Sequence, residues 1–334
     1  MAMAKGHVLV TGGAGYIGSH TTLALLEAGW AVTVLDNLST GQRSLVPTPV
    51  RFVEGDVADQ GLLDRILGDG IDAVMHFAGS IIVPESVADP LKYYANNTAA
   101  SLGLIEACVR HGVDRFVFSS TAAVYGMPET ETVDEDAPTR PINPYGRSKL
   151  MTEWMLGDVA AAHRFRYAAL RYFNVAGADP DGRSGQATPD ATHLIKVACE
   201  AAVGRRPGIT VFGTDYPTAD GTCVRDYIHV SDLADAHVRA LDHLTAGGDS
   251  LVTNCGYGRG YSVREVLEAV QRVAGRELTI HPGARRPGDA ARIVADNTRI
   301  RRLLGWQPRH EDLDLIVRTA LAWERRPDGR KMAP

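Results

Sequence analysis

Apolar positions in the first half of the chain come in short, nearly uninterrupted runs separated by stretches of helical spacing. Residues 7–11, 31–35, 51–54, 73–77, 115–119 and 167–172 are compact, largely apolar runs bounded by Gly, Asp, Ser or Arg. Runs of that length read as strands buried on both faces. Residues 16–28 carry apolar side chains at helical spacing and stop at Gly29, and the longest helical stretches are 91–111 and 145–163. Strands alternating with helices predict an α/β fold, a doubly wound parallel sheet covered on both faces, with its ligand site at the carboxyl ends of the strands.

After Arg171 the rhythm changes. Residues 176–189 are rich in Gly, Asp and Pro and read as loop, and the segments beyond are short and mixed. A long helix is expected at 231–244 and one more buried strand at 251–254. Ser262-Val263-Arg264-Glu265 is a capping box opening a helix that runs to about residue 274. Residues 297–304 read as a short helix stopped by Gly305. These signals divide the chain into residues 1–175, with segments near 226–256 returning to the sheet, and a smaller C-terminal lobe made mostly of 176–334. The cleft between them is the expected binding site.

Composition narrows the function classes. With 45% hydrophobic and 22% charged residues the chain is that of an ordinary globular protein, and its formal net charge of -5 offers no field for nucleic acid or anionic lipid. No apolar run approaches the roughly 18 residues of a membrane span. Cys108, Cys199, Cys223 and Cys255 are widely spaced and form no metal or redox pair, so reduced thiols, a cytoplasmic location and no metal site are expected.

Two motifs supply the chemistry. Gly12-Gly13-Ala14-Gly15-Tyr16-Ile17-Gly18 joins the first strand to the first helix. Gly12, Gly15 and Gly18 then serve a tight turn, close backbone approach to phosphate and close helix packing, with the helix N-terminus facing a dinucleotide pyrophosphate. Asp36 ends the second strand, where a carboxylate accepts from a ribose hydroxyl and repels the extra phosphate of NADP. NAD is the expected cofactor and the sheet domain is of the Rossmann type. Asp36 could also cap the turn that Asn37 and Ser39 continue, and Asp56 could reach the adenine or serve a turn.

The second motif is Tyr145-Gly146-Arg147-Ser148-Lys149, following Asn143-Pro144, a helix-entry signal. Four residues apart on a helix, Tyr145 and Lys149 share a face, so the ammonium can lower the phenol's pKa. Thr121 ends the strand run at the ligand side of the sheet, where its hydroxyl can exchange a proton with a substrate hydroxyl beside Tyr145. The set points to redox chemistry at a carbinol carbon.

At these residues the chain resembles the extended short-chain dehydrogenase/reductase family and, within it, the UDP-glucose 4-epimerases, over nearly its whole length. The stretches that carry the resemblance are 10–20, 35–38, His76-Phe77-Ala78-Gly79, 118–126, 144–149 and 170–174, with 213–218 and 224–230 similar to the sugar-nucleotide epimerases in particular. The resemblance implies that Tyr16, Ile17, Asp36, Asn37, Asp56, Val57, Phe77, Ala78, Gly79, Asn96 and Phe173 line the NAD site with Thr121, Tyr145 and Lys149. It implies that Asn174, Leu194, Arg225, Arg286 and Asp289 hold the UDP part, a chemistry suited to phosphate oxygens and ribose hydroxyls.

Several positions depart from the family pattern. Ile81 stands where many members carry a lysine, Thr121 where a serine is frequent, and His193 where an asparagine often lies near the substrate. Ile293 falls at a position that helps set sugar size and leaves that size open. His76 reads as a packed residue.

The activity implied is reversible 4-epimerisation of UDP-glucose and UDP-galactose through a 4-keto sugar, by a homodimer joined through the helices near 91–111 and 145–163. Rival readings are a 4-epimerase of another UDP-sugar (UDP-xylose and UDP-arabinose, or the UDP-N-acetylhexosamines) and a non-catalytic NAD-binding protein. Dehydration is disfavoured, because Ala122 and Ala123 stand where that elimination needs acidic groups.

Overall fold

The structure, a computed structural model, describes residues 5–189, 191–286 and 289–326. Strands β1 (His7–Thr11), β2 (Ala31–Asp36), β3 (Arg51–Glu54), β4 (Ala73–His76), β5 (Arg115–Thr121) and β6 (Arg166–Tyr172) form, with β10 (Leu251–Cys255), one all-parallel sheet of order β10-β6-β5-β4-β1-β2-β3. The order reverses between β1 and β4, so the switch point opens at the carboxyl ends of those two strands. Val8, Val10 and Val34 face one core with Leu25 and Leu241, while Leu9, Leu35 and Val74 face another with Leu63, Leu104 and Leu156. Helices α1 (Tyr16–Glu27) and α8 (Val230–Thr245) cover the first face. Helices α2 (Gln60–Leu67), α5 (Ala100–His111) and α6 (Pro144–Ala162) cover the second. Burial on both faces is why β1, β2, β4, β5 and β6 are nearly continuous apolar runs, whereas β3, an edge strand with Arg51 and Glu54 exposed, is not.

The helix expected over 91–111 is interrupted. Helices α3 (Val83–Ala88) and α4 (Pro90–Tyr93) lead into a π turn at Tyr94–Ala99 before α5 begins. Asn97 explains the interruption: its buried amide accepts from the Ser80 N–H at 2.7 Å and donates to the Ser80 carbonyl at 3.0 Å and to Ser148 Oγ at 3.1 Å. Those bonds draw the wider turn toward the loop after β4.

Beyond residue 173 the chain builds a second layer. Strands β7 (Asn174–Ala176), β11 (Gly260–Ser262) and β13 (Arg292–Ile293) all pair with β9 (Val224–His229), and β8 (Ile209–Phe212) pairs with β12 (Ile280–Gly283). Helices α7 (Leu194–Ala202), α9 (Val263–Ala274) and α11 (Leu313–Glu324) pack together, and α10 (Thr298–Leu304) ends at Gly305. The capping box of Ser262 and Glu265 opens α9 with both of its hydrogen bonds present. Asp226 ties this layer to the sheet by accepting from the backbone N–H groups of Tyr257, Gly258 and Ala295 at 3.0, 2.9 and 3.2 Å. All four cysteines are buried and free. Among the described residues no helix is long and apolar enough to cross a membrane, and no cluster of metal-ligating side chains occurs.

Candidate active site

The glycine turn has no room for side chains. Gly12 sits at φ +70°, and a Cβ there would lie 2.6 Å from the Ala78 nitrogen and 2.8 Å from the Phe77 carbonyl carbon. A Cβ at Gly18 would overlap the Gly12 carbonyl oxygen. The two loops at the switch point therefore touch through backbone. Gly15 is the N-cap of α1 and offers no side-chain cap, and the first turn holds no acidic residue, so the first N–H groups and the positive end of the helix dipole remain for an anion. Asp36 is buried beside them, accepting from the Ala14 N–H at 2.9 Å and the Leu38 N–H at 2.8 Å. Burial pushes its carboxyl above the ordinary range while those two bonds act the other way. Asn37 donates to Asp56 at 2.9 Å, fixing the exposed lip of the pocket, and Val57 is buried behind it. These features fit a dinucleotide: a cradle that a Cβ would fill, an uncapped helix end, and a carboxylate with acceptor capacity left for a ribose.

Other cofactor candidates occupy the same rim. The Tyr16 phenol donates to the Gly177 carbonyl at 2.7 Å, and Ile17 packs on the core. Phe77 stacks near His237 with ring centroids 4.8 Å apart. Asn96 donates to Ser80 Oγ at 2.9 Å, and a Cβ on Gly79 would stand 3.6 Å from Lys149 Nζ. Ile81 is exposed next to this loop. His76 is buried with one ring nitrogen on Thr11 Oγ1 at 2.7 Å and the other on Ser101 Oγ at 2.8 Å, a packed residue held neutral by burial, which lowers its pKa to about 3.

Thr121 ends β5, and Tyr145 stands in the first turn of α6, capped by Asn143, whose side chain accepts from the Gly146 N–H at 2.8 Å. The Thr121 hydroxyl lies near enough to the Tyr145 phenol to lower its pKa. Thr121 Oγ1 accepts from the Ala123 N–H at 3.1 Å, which fixes the hydroxyl. Tyr93 meets the Tyr145 ring edge-on at 6.4 Å. Lys149, one helical turn after Tyr145, is buried with its ammonium 5.0 Å from the centre of the Phe118 ring.

The electrostatics correct one expectation. Burial pushes the Tyr145 phenol above its ordinary value, and the downward influence comes from the nearby Thr121 hydroxyl rather than from Lys149. Burial also lowers Lys149 to about 8. A low-dielectric pocket penalises both charged forms, so helix spacing alone does not give a depressed phenol pKa.

The remaining candidates form two groups. Asn174, His193 and Leu194 line one cavity together with Gln186 and Tyr227. Gln186 donates to His193 Nδ1 at 2.7 Å, which leaves the imidazole proton on Nε2, and burial lowers the ring's pKa. Arg225 on β9 faces Asp289 at 3.9 Å and pairs in register with Ile293 on β13. Ile293 in turn packs in the cluster of Ala122, Val124, Leu150 and Phe173, next to Thr121. Arg286 is exposed, its guanidinium 3.9 Å from the centre of the Phe212 ring. Sequence reading passed over Asn97 and Gln186. Adjacent asparagines inside a helical stretch were a usable signal for Asn97, since Asn is a weak helix former; Gln186, in a Gly-rich loop, offered none.

Comparison with known proteins gives the geometry its context. The NAD dependent epimerase/dehydratase family model matches residues 8–256. The UDP-glucose 4-epimerase of Azospirillum brasilense is 63% identical over 323 residues, covering 96% of this chain and 93% of that protein. A crystal structure of UDP-glucose 4-epimerase from Brucella ovis in complex with NAD superposes with a TM-score of 0.92 at 47% identity, covering 95% of this chain and 98% of that one. The Bifidobacterium longum UDP-glucose 4-epimerase, in complex with NAD+ and UDP, gives a TM-score of 0.89 at 40% identity, covering 95% of this chain and 98% of its own.

Proposed function

The chain belongs to the NAD dependent epimerase/dehydratase family, and on that footing we propose that it interconverts UDP-glucose and UDP-galactose by reversible 4-epimerisation through a 4-keto sugar, with tightly bound NAD. The observation that carries the reading is the approach of the Thr121 hydroxyl to the Tyr145 phenol, with Lys149 one turn on and the glycine cradle alongside, in a chain so similar to a UDP-glucose 4-epimerase.

Residues 1–175, with the returning segments near 226–256, hold the cofactor, and 176–334 mostly hold the substrate. Gly12, Gly15 and Gly18 admit the pyrophosphate, Asp36 takes the adenosine ribose, and Asn37, Asp56 and Val57 border the adenine. Tyr16, Ile17, Phe77, Ala78, Gly79, Asn96 and Phe173 close the remaining wall. When bound, NAD supplies a reversible acceptor for the C4 hydride. Tyr145 takes the proton of the sugar 4-hydroxyl, directly or through Thr121, and returns it to the C4 oxygen as the hydride would go back to the opposite face of the turned ring. Lys149, buried one turn on, would bond the nicotinamide ribose through its ammonium.

Asn174, Leu194, Arg225, Arg286 and Asp289 anchor the UDP part, and His193 lies near the substrate. With the anchor tight and the sugar loosely held, the 4-keto ring can turn before reduction. Ile293, beside Thr121, borders the sugar.

The test is direct. Purified protein given UDP-glucose without added NAD should produce UDP-galactose by NMR, toward a fixed equilibrium; silence even after NAD is supplied would sink the reading. Thr121→Val is expected to lower kcat about 10-fold or more while Thr121→Ser stays near wild type, because serine keeps the hydroxyl that the Ala123 N–H fixes beside Tyr145. Equal rates for the two variants would remove Thr121 from the proton path.

A cytoplasmic homodimer completes the proposal. Leu91 and Trp154 are 76% and 59% exposed, and with Val87 and Leu102 they lie on α3, α4, α5 and α6, which pack side by side. Large apolar groups concentrated on one helical face suit a second copy of the chain. Trp154→Arg is expected to sediment as a monomer; an unchanged dimer would place the interface elsewhere.

A further inference from the structure

Thr121 and Tyr145 come from different elements, β5 and α6, so the approach of their hydroxyls depends on how α6 sits against the end of β5. Beneath that contact lies a buried ion pair. Arg171 on β6 forks onto Glu153 on α6, with Nη2 to Oε2 at 2.6 Å and Nε to Oε1 and Oε2 at 3.0 and 3.2 Å. The two side chains are only 7% and 4% exposed. Glu153 follows Lys149 by one helical turn and Tyr145 by two. Its carboxylate also accepts from Ser120 Oγ, and Ser120 is both the neighbour of Thr121 and the register partner of Arg171.

The remaining guanidinium nitrogen, Nη1, donates to the Tyr125 hydroxyl at 3.0 Å, and Tyr125 donates to Asn254 Oδ1 at 2.7 Å. Tyr125 closes the 3-10 turn that Thr121 caps. One pair of side chains thus binds the helix bearing Tyr145 and Lys149 to the strand end and turn bearing Thr121.

Stability alone is a poor reason for such a pair, because well-packed apolar residues of similar volume usually serve a core as well. What the fork adds is direction, since a planar guanidinium meets a carboxylate in few orientations. We propose that Glu153 and Arg171 are positioning residues that lock α6 onto β5 and so set the approach of Tyr145 to Thr121. The inference rests on the reading of those two hydroxyls as the proton path.

The double variant Glu153→Leu/Arg171→Met tests it, because removing both partners leaves no unpaired buried charge. It is expected to melt at or above the wild-type temperature and to keep KM for UDP-glucose within about threefold. Its kcat is expected to fall about 10- to 100-fold through misplacement of the reacting groups, with the rising limb of the kcat pH profile moved to higher pH. The groups acting on the Tyr145 phenol are Thr121 from β5, Tyr172 from β6 and Tyr93 from α4, with Lys149 one turn along its own helix. None is substituted, so a moved limb reports geometry.

A crystal structure of the double variant is expected to show the Thr121 and Tyr145 hydroxyls farther apart than in a wild-type crystal structure. Ser120→Ala, which leaves the ion pair intact, is expected to change kcat and the limb in the same direction and by less, and it decides the question if the double variant does not fold. Wild-type kcat and an unmoved limb in the folded variant would overturn the proposal, as would a loss confined to melting temperature. A wild-type protein inert toward UDP-glucose would instead remove the reading beneath it.

Discussion

Tyr145→Phe should lose most turnover, about 10²- to 10⁴-fold in kcat, which is the usual worth of a positioned general base and corresponds to about 3–5 kcal/mol of barrier. The substitution removes one oxygen. The ring stays where Tyr93 meets it edge-on, and Thr121 keeps its bond from the Ala123 N–H. The cofactor cradle is made of other residues, so the variant should purify with NAD at the wild-type ratio. Steady-state turnover by NMR and nucleotide released on denaturation measure the two halves. Full activity would exclude Tyr145 as the base, and lost turnover with lost NAD would mean the phenol serves cofactor retention rather than proton transfer.

Gly12→Ala should abolish the holoenzyme. Gly12 sits at φ +70°, a conformation that costs other residues about 1–2 kcal/mol. The added Cβ would also stand 2.6 Å from the Ala78 nitrogen, a backbone atom that cannot rotate away. The two loops at the switch point must therefore separate, and with them the donors aimed at the pyrophosphate. NAD affinity is expected to fall about 100-fold or more, roughly 2.7 kcal/mol, with the protein still folded by circular dichroism. Retention of NAD at the wild-type ratio through gel filtration would contradict the cradle.

Much of this architecture is legible in the sequence for a physical reason. Strands β1, β2, β4, β5 and β6 are covered on both faces, so each is a contiguous apolar run that no alternation confuses. The glycine turn and the Tyr145–Lys149 pair are local in sequence, and local spacing places them on a loop and a helix face. What stayed hidden depends on distant partners. The π turn at Tyr94–Ala99 exists because Asn97 reaches Ser80 and Ser148. Strands β7 and β13 are three and two residues long and pair with β9 far away in the chain, so no periodicity could announce them. Helix α11 was readable in principle, since Asp312 caps it and Leu313, Ile316, Val317, Ala320 and Leu321 are among its buried side chains. The balance of pKa influences at Tyr145 was not readable, because helix spacing reveals a neighbouring charge but not the burial that outweighs it.

The most direct measurement of the central claim uses UDP-glucose carrying deuterium at C4 of the sugar, turned over in ordinary water by the purified protein without added NAD. Proton and deuterium NMR then report what sits at C4 of the UDP-galactose formed. Because the hydride leaves and returns within a closed site while Tyr145 exchanges only the hydroxyl proton, the expected product keeps its deuterium at C4. UDP-galactose bearing a solvent proton at C4 would contradict the account.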